Sequence, residues 1–274
     1  VIDPTSSDFL VFVVTLVGSG AIAGVLAGLF GIGGGAVLVP VLFQFQSLVG
    51  VDEAVRMHMA VGTSLGVIVP TSLRSVFAHY KRGAVDMELL RSLAGPVVVG
   101  VILGSLVAAW VPADGLKGIF AGIAFLVALK LLFGRKDWRV GADLPGRVGR
   151  GIAGVVIGFL SVLMGIGGGV MNNTFMTLYG RPLRQAVATS AGVGVLISIP
   201  GMLGFVWAGW GAADLPPLSL GFVNLLAVAM IIPLTLLCAP IGVRLAHVLP
   251  PRMLEVSFGL FMMVVASRFA ISLL

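Results

Sequence analysis

The apolar positions of this chain do not alternate with polar ones; they gather into long runs broken by short polar links. Such runs fall at about residues 9–30, 54–78, 92–111, 115–133, 150–164, 185–208, 218–243 and 254–274. A helix needs about 20 apolar residues to cross a bilayer, and most of the runs approach that length. Two shorter apolar pieces, 36–46 and 170–179, each follow a cluster of glycines. The pattern predicts an all-α polytopic membrane protein of about 8–10 transmembrane segments. It leaves open whether the two short pieces cross the membrane or dip in and return.

Composition agrees with the pattern. Of 274 residues, 58% are hydrophobic and only 10% charged, with a mean hydropathy of +1.13, whereas a soluble domain carries about a quarter charged residues. So few charges cannot coat a water-facing surface, which makes lipid the solvent. The net charge of +6 is no nucleic-acid signature, because no Lys/Arg block stands beside interleaved aromatics. Most basic residues lie in the links between runs, where they act as topology signals. The single cysteine, Cys238, sits in an apolar run and reads as a small packed hydrophobe. The stretch from Phe9 to Leu29 has the look of a signal peptide, with Ala21-Ile22-Ala23 as its cleavage site. However, Asp3 and Asp8 stand where a signal carries Lys or Arg, and the stretch recurs later in the chain. It reads as a permanent helix.

The recurrence is extensive. Gly28-Leu29-Phe30-Gly31-Ile32-Gly33-Gly34-Gly35 matches Val162-Leu163-Met164-Gly165-Ile166-Gly167-Gly168-Gly169. Downstream, Ala60-Val61-Gly62-Thr63-Ser64 matches Ala186-Val187-Ala188-Thr189-Ser190, and Pro70 and Pro200 follow six and ten residues later. Gly104 and Pro112 match Gly242 and Pro250 at equal spacing. The chain therefore divides into a first membrane repeat over 1–134, a basic connecting loop over 135–149 and a second repeat over 150–274.

Counting basic residues orients the repeats. If the short pieces cross, each repeat makes an odd number of passes and the two are inverted. Arg74, Lys81, Arg82, Arg91, Lys130, Arg181, Arg184, Arg244 and Arg252 then join the 135–150 link on the cytoplasmic side, leaving Arg56, Lys117 and Arg268 outside. If the short pieces only dip, the repeats are parallel, and Arg181, Arg184, Arg244 and Arg252 move to the outer face. The inverted arrangement fits the positive-inside rule better.

The clusters Gly31, Gly33, Gly34, Gly35 and Gly165, Gly167, Gly168, Gly169 superficially resemble a nucleotide-binding fingerprint. That reading needs a βαβ unit, and the flanks here are bilayer-spanning runs. The glycines instead break a helix, so that backbone N–H groups and the positive end of the next helix face a ligand. Paired broken helices in two repeats are the sequence pointer to a transporter's substrate site; the plainer account is that the glycines allow close helix crossing. Thr63, Ser64, Thr189 and Ser190 are hydroxyls at matching places beside the clusters. They can donate to an oxyanion, or bond to a neighbouring helix instead. Asn172 and Asn173 sit at the start of the second short piece, where two buried amides need partners. Arg74, near the end of a long run, is a candidate anion contact, with snorkelling to the interface as the alternative.

The eleven acids all fall in links or at run ends, which leaves a carboxylate proton relay or an aspartyl protease unsupported. His58, His79 and His247 lack metal spacing; His58 beside Arg56 suggests an anion-attracting outer mouth. No nucleophile–base pair or cofactor motif is visible, so an enzyme is not expected.

The motif Gly-x-Phe-Gly-Ile-Gly-Gly-Gly-x-x-x-Val-Pro at Gly28–Pro40, its echo at Gly165–Gly169, and the paired stretches at 60–64 and 186–190 resemble the TauE/SafE family of membrane permeases. The resemblance runs along essentially the whole chain. It implies a transporter of sulfite, an organosulfonate or a related sulfur anion in the bacterial inner membrane. The second cluster departs from the first, with Asn172, Asn173 and Thr174 where Leu38, Val39 and Pro40 stand. The expected function is a secondary carrier that moves a small anion by alternating access between the repeats. An anion channel with the same donors, or a carrier of an unrelated solute, is the alternative. The expected partners are the anion and the lipid bilayer, with no nucleic acid and no cofactor, and oligomeric state has no signal in the sequence.

Overall fold

The computed structural model describes residues 17, 18, 20–22, 24, 25, 35–134, 140, 141, 143–213 and 215–273. Within them run nine helices: α1 (Gly35–Leu48), α2 (Glu53–Lys81), α3 (Met87–Trp110), α4 (Ala113–Phe133), α5 (Arg147–Leu163), α6 (Gly169–Leu178), α7 (Leu183–Ala208), α8 (Leu225–Val248) and α9 (Pro251–Ile271). A two-residue hairpin, β1 (Ser219–Leu220) with β2 (Val223–Asn224), precedes α8. Of the run expected at 9–30, the described residues are helical.

Five of these helices are long and apolar enough to cross a membrane: Glu53–Lys81, Met87–Trp110, Ala113–Phe133, Leu183–Ala208 and Arg252–Ile271. Their outer faces leave Trp110, Leu126, Phe77 and Leu203 exposed, a surface that lipid accepts and water does not. The fold is thus an all-α, multi-pass membrane protein. Two helix starts lie five or more residues from the starts of their apolar runs, for one reason. α3 starts at 87 and not 92 because Asp86 accepts from the Leu89 N–H at 2.9 Å. α8 starts at 225 and not 218 because Asn224 accepts from the Ala227 N–H at 2.8 Å. In each case a side-chain N-cap fixes the helix start, whatever the hydropathy before it.

Glycine sets the helix spacing. Gly100 of α3 lies against the Val155 carbonyl of α5, and Gly158 of α5 against the Val97 carbonyl of α3. Backbones this close leave no room for a Cβ, the packing that substitutes for hydrophobic drive between membrane helices. These neighbours, with Gly154 on Pro96 and Gly104 on Val162, rise together, so α3 and α5 run in the same direction. α2 and α7 run in opposite directions, since Gly62 meets Phe205, Gly201 meets Leu65 and Gly194 meets Ser72. α4 and α9 are also opposed: Gly118 approaches Leu273, the Phe120 and Phe269 ring centroids are 5.3 Å apart, and Arg252 donates to the Leu131 carbonyl.

At the end where α2 and α4 begin, Lys117 is 1% exposed and bonds Asp114 at 3.0 Å and Glu53 at 3.3 Å, two carboxylates that are themselves largely exposed. The ammonium tucks under the outer rim while its partners stay wet, which limits the desolvation cost of the pair. His58 is also inside. Its Nε2 lies 3.0 Å from the Ala108 carbonyl and 3.1 Å from that of Val111, and its ring is 4.9 Å from Phe222. The notion of an exposed mouth at His58 is therefore corrected: the imidazole ties α2 to the end of α3.

Candidate functional site

The connection between α5 and α6 is built by two glycines with different tasks. Gly165, at φ +64°, ends α5: its N–H bonds the Val162 carbonyl, and the next N–H, of Ile166, bonds the Ser161 carbonyl. This double closure satisfies the last carbonyls of the helix and needs a left-handed residue at its bend. Gly168, at φ +70°, starts α6 without a side-chain cap. The 10-residue α6 is only about 15 Å long at 1.5 Å per residue. It runs back toward the end where α5 began, because the Leu178 carbonyl accepts from the Val140 N–H at 2.8 Å.

The start of α1 comes to the same spot. A side-chain carbon at Gly35 would stand 2.7 Å from the Ile166 Cα and 2.8 Å from the Gly165 carbonyl oxygen. Val39 of α1 packs on Gly165 from the other side. The first described residue of α1 thus meets the connection from which α6 starts. The junction is closed off from solvent: Gly165, Ile166, Gly167, Gly168 and Gly169 are all buried. Among the described residues, the N–H groups of Gly167, Gly168, Gly169, Val170 and Met171 have no acceptor. Buried backbone donors are almost always paired, and the start of α6 adds about half a positive charge. The arrangement is a cradle of uncharged donors.

The residues singled out from sequence divide into two groups around this cradle. Ser64 belongs to it, donating from α2 to the Gly165 carbonyl at 2.8 Å. So do Asn172, Asn173 and Ser190: the Asn172 amide donates to Ser190 Oγ, which donates to Asn173 Oδ1, both at 2.7 Å. Asn172 is fully buried and its Oδ1 has no partner among the described residues. Thr63 and Thr189 are engaged elsewhere. Thr63 Oγ1 accepts from the Asn224 N–H at 3.1 Å and Thr189 Oγ1 from the Asp86 N–H at 3.0 Å. These donors are the N-cap residues of α8 and α3, so the two threonines serve matching structural tasks. Arg74 is on an exposed face of α2. Gly31, Gly33 and Gly34 lie outside the described residues.

Ser72 and Ser198 are passed over by the sequence reading although the repeat contains their signal. Ser198 stands as far beyond Thr189 as Ser72 stands beyond Thr63. A side-chain carbon at Gly194 would stand 2.6 Å from Ser72 Oγ, and one at Gly167 would stand 3.8 Å from it. Ser198 is 0% exposed and its Oγ has no partner among the described residues.

Comparison with known proteins adds an independent line. The family described as sulfite exporter TauE/SafE matches residues 16–269. A probable membrane transporter protein of Haemophilus influenzae is 36% identical over 247 residues, covering 90% of this chain and 94% of the relative. One from Methanocaldococcus jannaschii is 30% identical over 274 residues, covering 93% and 97%. A third, from Bacillus subtilis, is 32% identical over 219 residues, covering 72% and 79%. No solved structure matches.

Proposed function

This chain belongs to the sulfite exporter TauE/SafE family, a family of membrane transporters and not of enzymes, and from that premise we propose that it is a secondary carrier of a small sulfur oxyanion. Its substrate is sulfite or an organosulfonate, carried across the bacterial cytoplasmic membrane by alternating access. The observation that carries this reading is the meeting of Gly35, at the start of α1, with Gly165 and Ile166, just before α6. The start of α6 and a set of unpaired amides offer hydrogen-bond donors and positive potential, with no Lys or Arg among the described residues of the connection 164–168. An anion held by neutral donors can be released again when the cradle opens, which a tight ion pair would hinder.

Residues 1–134 and 150–274 act as two inverted repeats joined by the basic link 135–149, and substrate crosses as one rocks against the other. Three features support this. Matching helices α2 and α7 pack in opposite directions, and so do α4 and α9. The bonds Thr63–Asn224 and Thr189–Asp86 are reciprocal, each repeat holding a helix start of the other. Finally, α6 leads the chain back to the side where α5 begins, as an odd number of passes requires.

Counterflow in proteoliposomes tests the proposal. Liposomes preloaded with unlabelled sulfite should take up external 35S-labelled sulfite faster than empty ones, with saturation. A non-saturating flux that ignores the internal anion would identify a channel instead, and absence of flux for both sulfite and simple sulfonates would remove the substrate class.

A further inference from the structure

Hydroxyls inside these helices have an easy partner, the carbonyl one turn back. Thr71, Ser92, Thr174, Thr177, Thr235 and Ser272 all take it. Four serines do not: among the described residues Ser105, Ser161 and Ser198 have a fully enclosed Oγ with no partner, and Ser72, 7% exposed, makes no hydrogen bond although its Oγ is not sealed off. A buried hydroxyl left unbonded is costly and needs a reason.

Position separates the four. Ser105 faces Gly204 at the α3–α7 contact, where a side-chain carbon would stand 2.4 Å or so from its Oγ, and it fills that notch. Ser161 immediately precedes the glycine connection but has Ala27 at the corresponding place of the first repeat. Ser72 and Ser198 each stand nine residues beyond a matched threonine, Thr63 and Thr189, although the spacing on to Pro70 and Pro200 differs between the halves. Ser72 ends the α2 stripe of Val61, Ser64, Ile68 and Ser72, each member of which touches the α5–α6 connection. Ser198 lies between Gly194, which meets Gly167 and Ser72, and Gly201, which meets Val162 and Leu65, on one face of α7. Ser72 therefore flanks the cradle at Gly167, and Ser198 lies on the face of the opposed helix α7 that Gly194 turns toward Gly167 and Ser72.

We propose that Ser72 and Ser198 are the paired side-chain donors that hold the transported oxyanion, one contributed by each repeat, while Thr63 and Thr189 are structural. This rests on the carrier function proposed above. A pyramidal or tetrahedral oxyanion suits the arrangement, because its oxygens diverge and can accept from amides at the α6 start and from hydroxyls on opposite walls at once. A serine serves both needs of a cycling carrier: it donates to an anion when one is present and adds no charge that would retain it.

The test uses the full chain reconstituted in proteoliposomes, with Ser72→Ala, Ser198→Ala, the double variant and Ser105→Ala. Half-saturation for 35S-sulfite uptake should rise about tenfold or more for each single variant, the loss of one hydrogen bond to a charged group. The double variant should approach background, and Ser105→Ala should match the wild type. Melting temperature without ligand gives a second readout, which a structural role would move the other way: removing an unbonded buried hydroxyl should leave it unchanged or raise it. If an alanine variant does not accumulate, the cysteine variant of that serine, similar in size and a weak donor, carries the same expectation. Wild-type half-saturation in Ser72→Ala and Ser198→Ala, with saturable uptake intact, overturns the inference and leaves the carrier function standing. No saturable uptake by the wild type overturns both.

Discussion

A hydroxyl in a membrane helix tells little by its presence and much by its partner. Thr189 illustrates this: it accepts from the N–H of Asp86, and Asp86 in turn caps α3 through the Leu89 N–H. Thr189→Val keeps the shape, removes the acceptor and leaves that amide orphaned. It should destabilise the protein by about 1–3 kcal/mol, and Thr189→Ser should restore most of the loss. Melting curves in detergent decide it; an unchanged midpoint for Thr189→Val would show the bond to be dispensable. At this scale the sequence pointed to hydroxyls but not to their partners. Doubling singled out Thr63, Ser64, Thr189 and Ser190, yet a hydrogen-bond partner 161 residues away, as Asn224 is from Thr63, leaves no local trace. Ser72 and Ser198 carried the same doubling without a distinctive motif around them.

At the scale of the element, the break between α5 and α6 was legible because four glycines in five residues cannot continue a helix at ordinary stability. What each glycine does was not, because backbone sign and neighbours arise only on folding. Gly165 and Gly168 both have positive φ, which alone costs an alanine about 1 kcal/mol. Their surroundings differ. A Cβ at Gly165 would lie 3.0 Å from the Val61 Cα and 2.8 Å from Val39 Cγ2, whereas at Gly168 the nearest atom is Ile197 Cδ1, the flexible end of a side chain. Backbone cannot yield, and an isoleucine tip can. Gly165→Ala should therefore lower the melting temperature more than Gly168→Ala, and equal losses would show that strain at φ outweighs the packing difference. The boundary errors have a similar origin: apolar residues run on through 218–224, and only the cap at Asn224 fixes where α8 begins.

For the molecule as a whole, length and hydropathy were enough to give an all-α membrane protein, because nothing but helices or closed barrels can bury the backbone in lipid. The relation of its halves depends on the direction of α6, a piece too short for hydropathy to assign. In the fold α2 and α7 lie against each other in opposite directions, so the links that follow them must emerge at opposite ends. Basic residues then predict which end is which: Lys81 and Arg82 after α2 on the cytoplasmic side, and Trp210 after α7 outside. In a Cys238→Ser background, Trp210→Cys should react with a membrane-impermeant maleimide on intact cells, and Arg82→Cys only once the membrane is opened. Both positions are exposed, so failure to react cannot be laid to burial. Labelling of both from the same side would contradict the inverted repeats, and with them a substrate site shared by two opposed glycine breaks. The reverse pattern, Arg82→Cys outside and Trp210→Cys inside, would keep the repeats and overturn only the orientation drawn from charge.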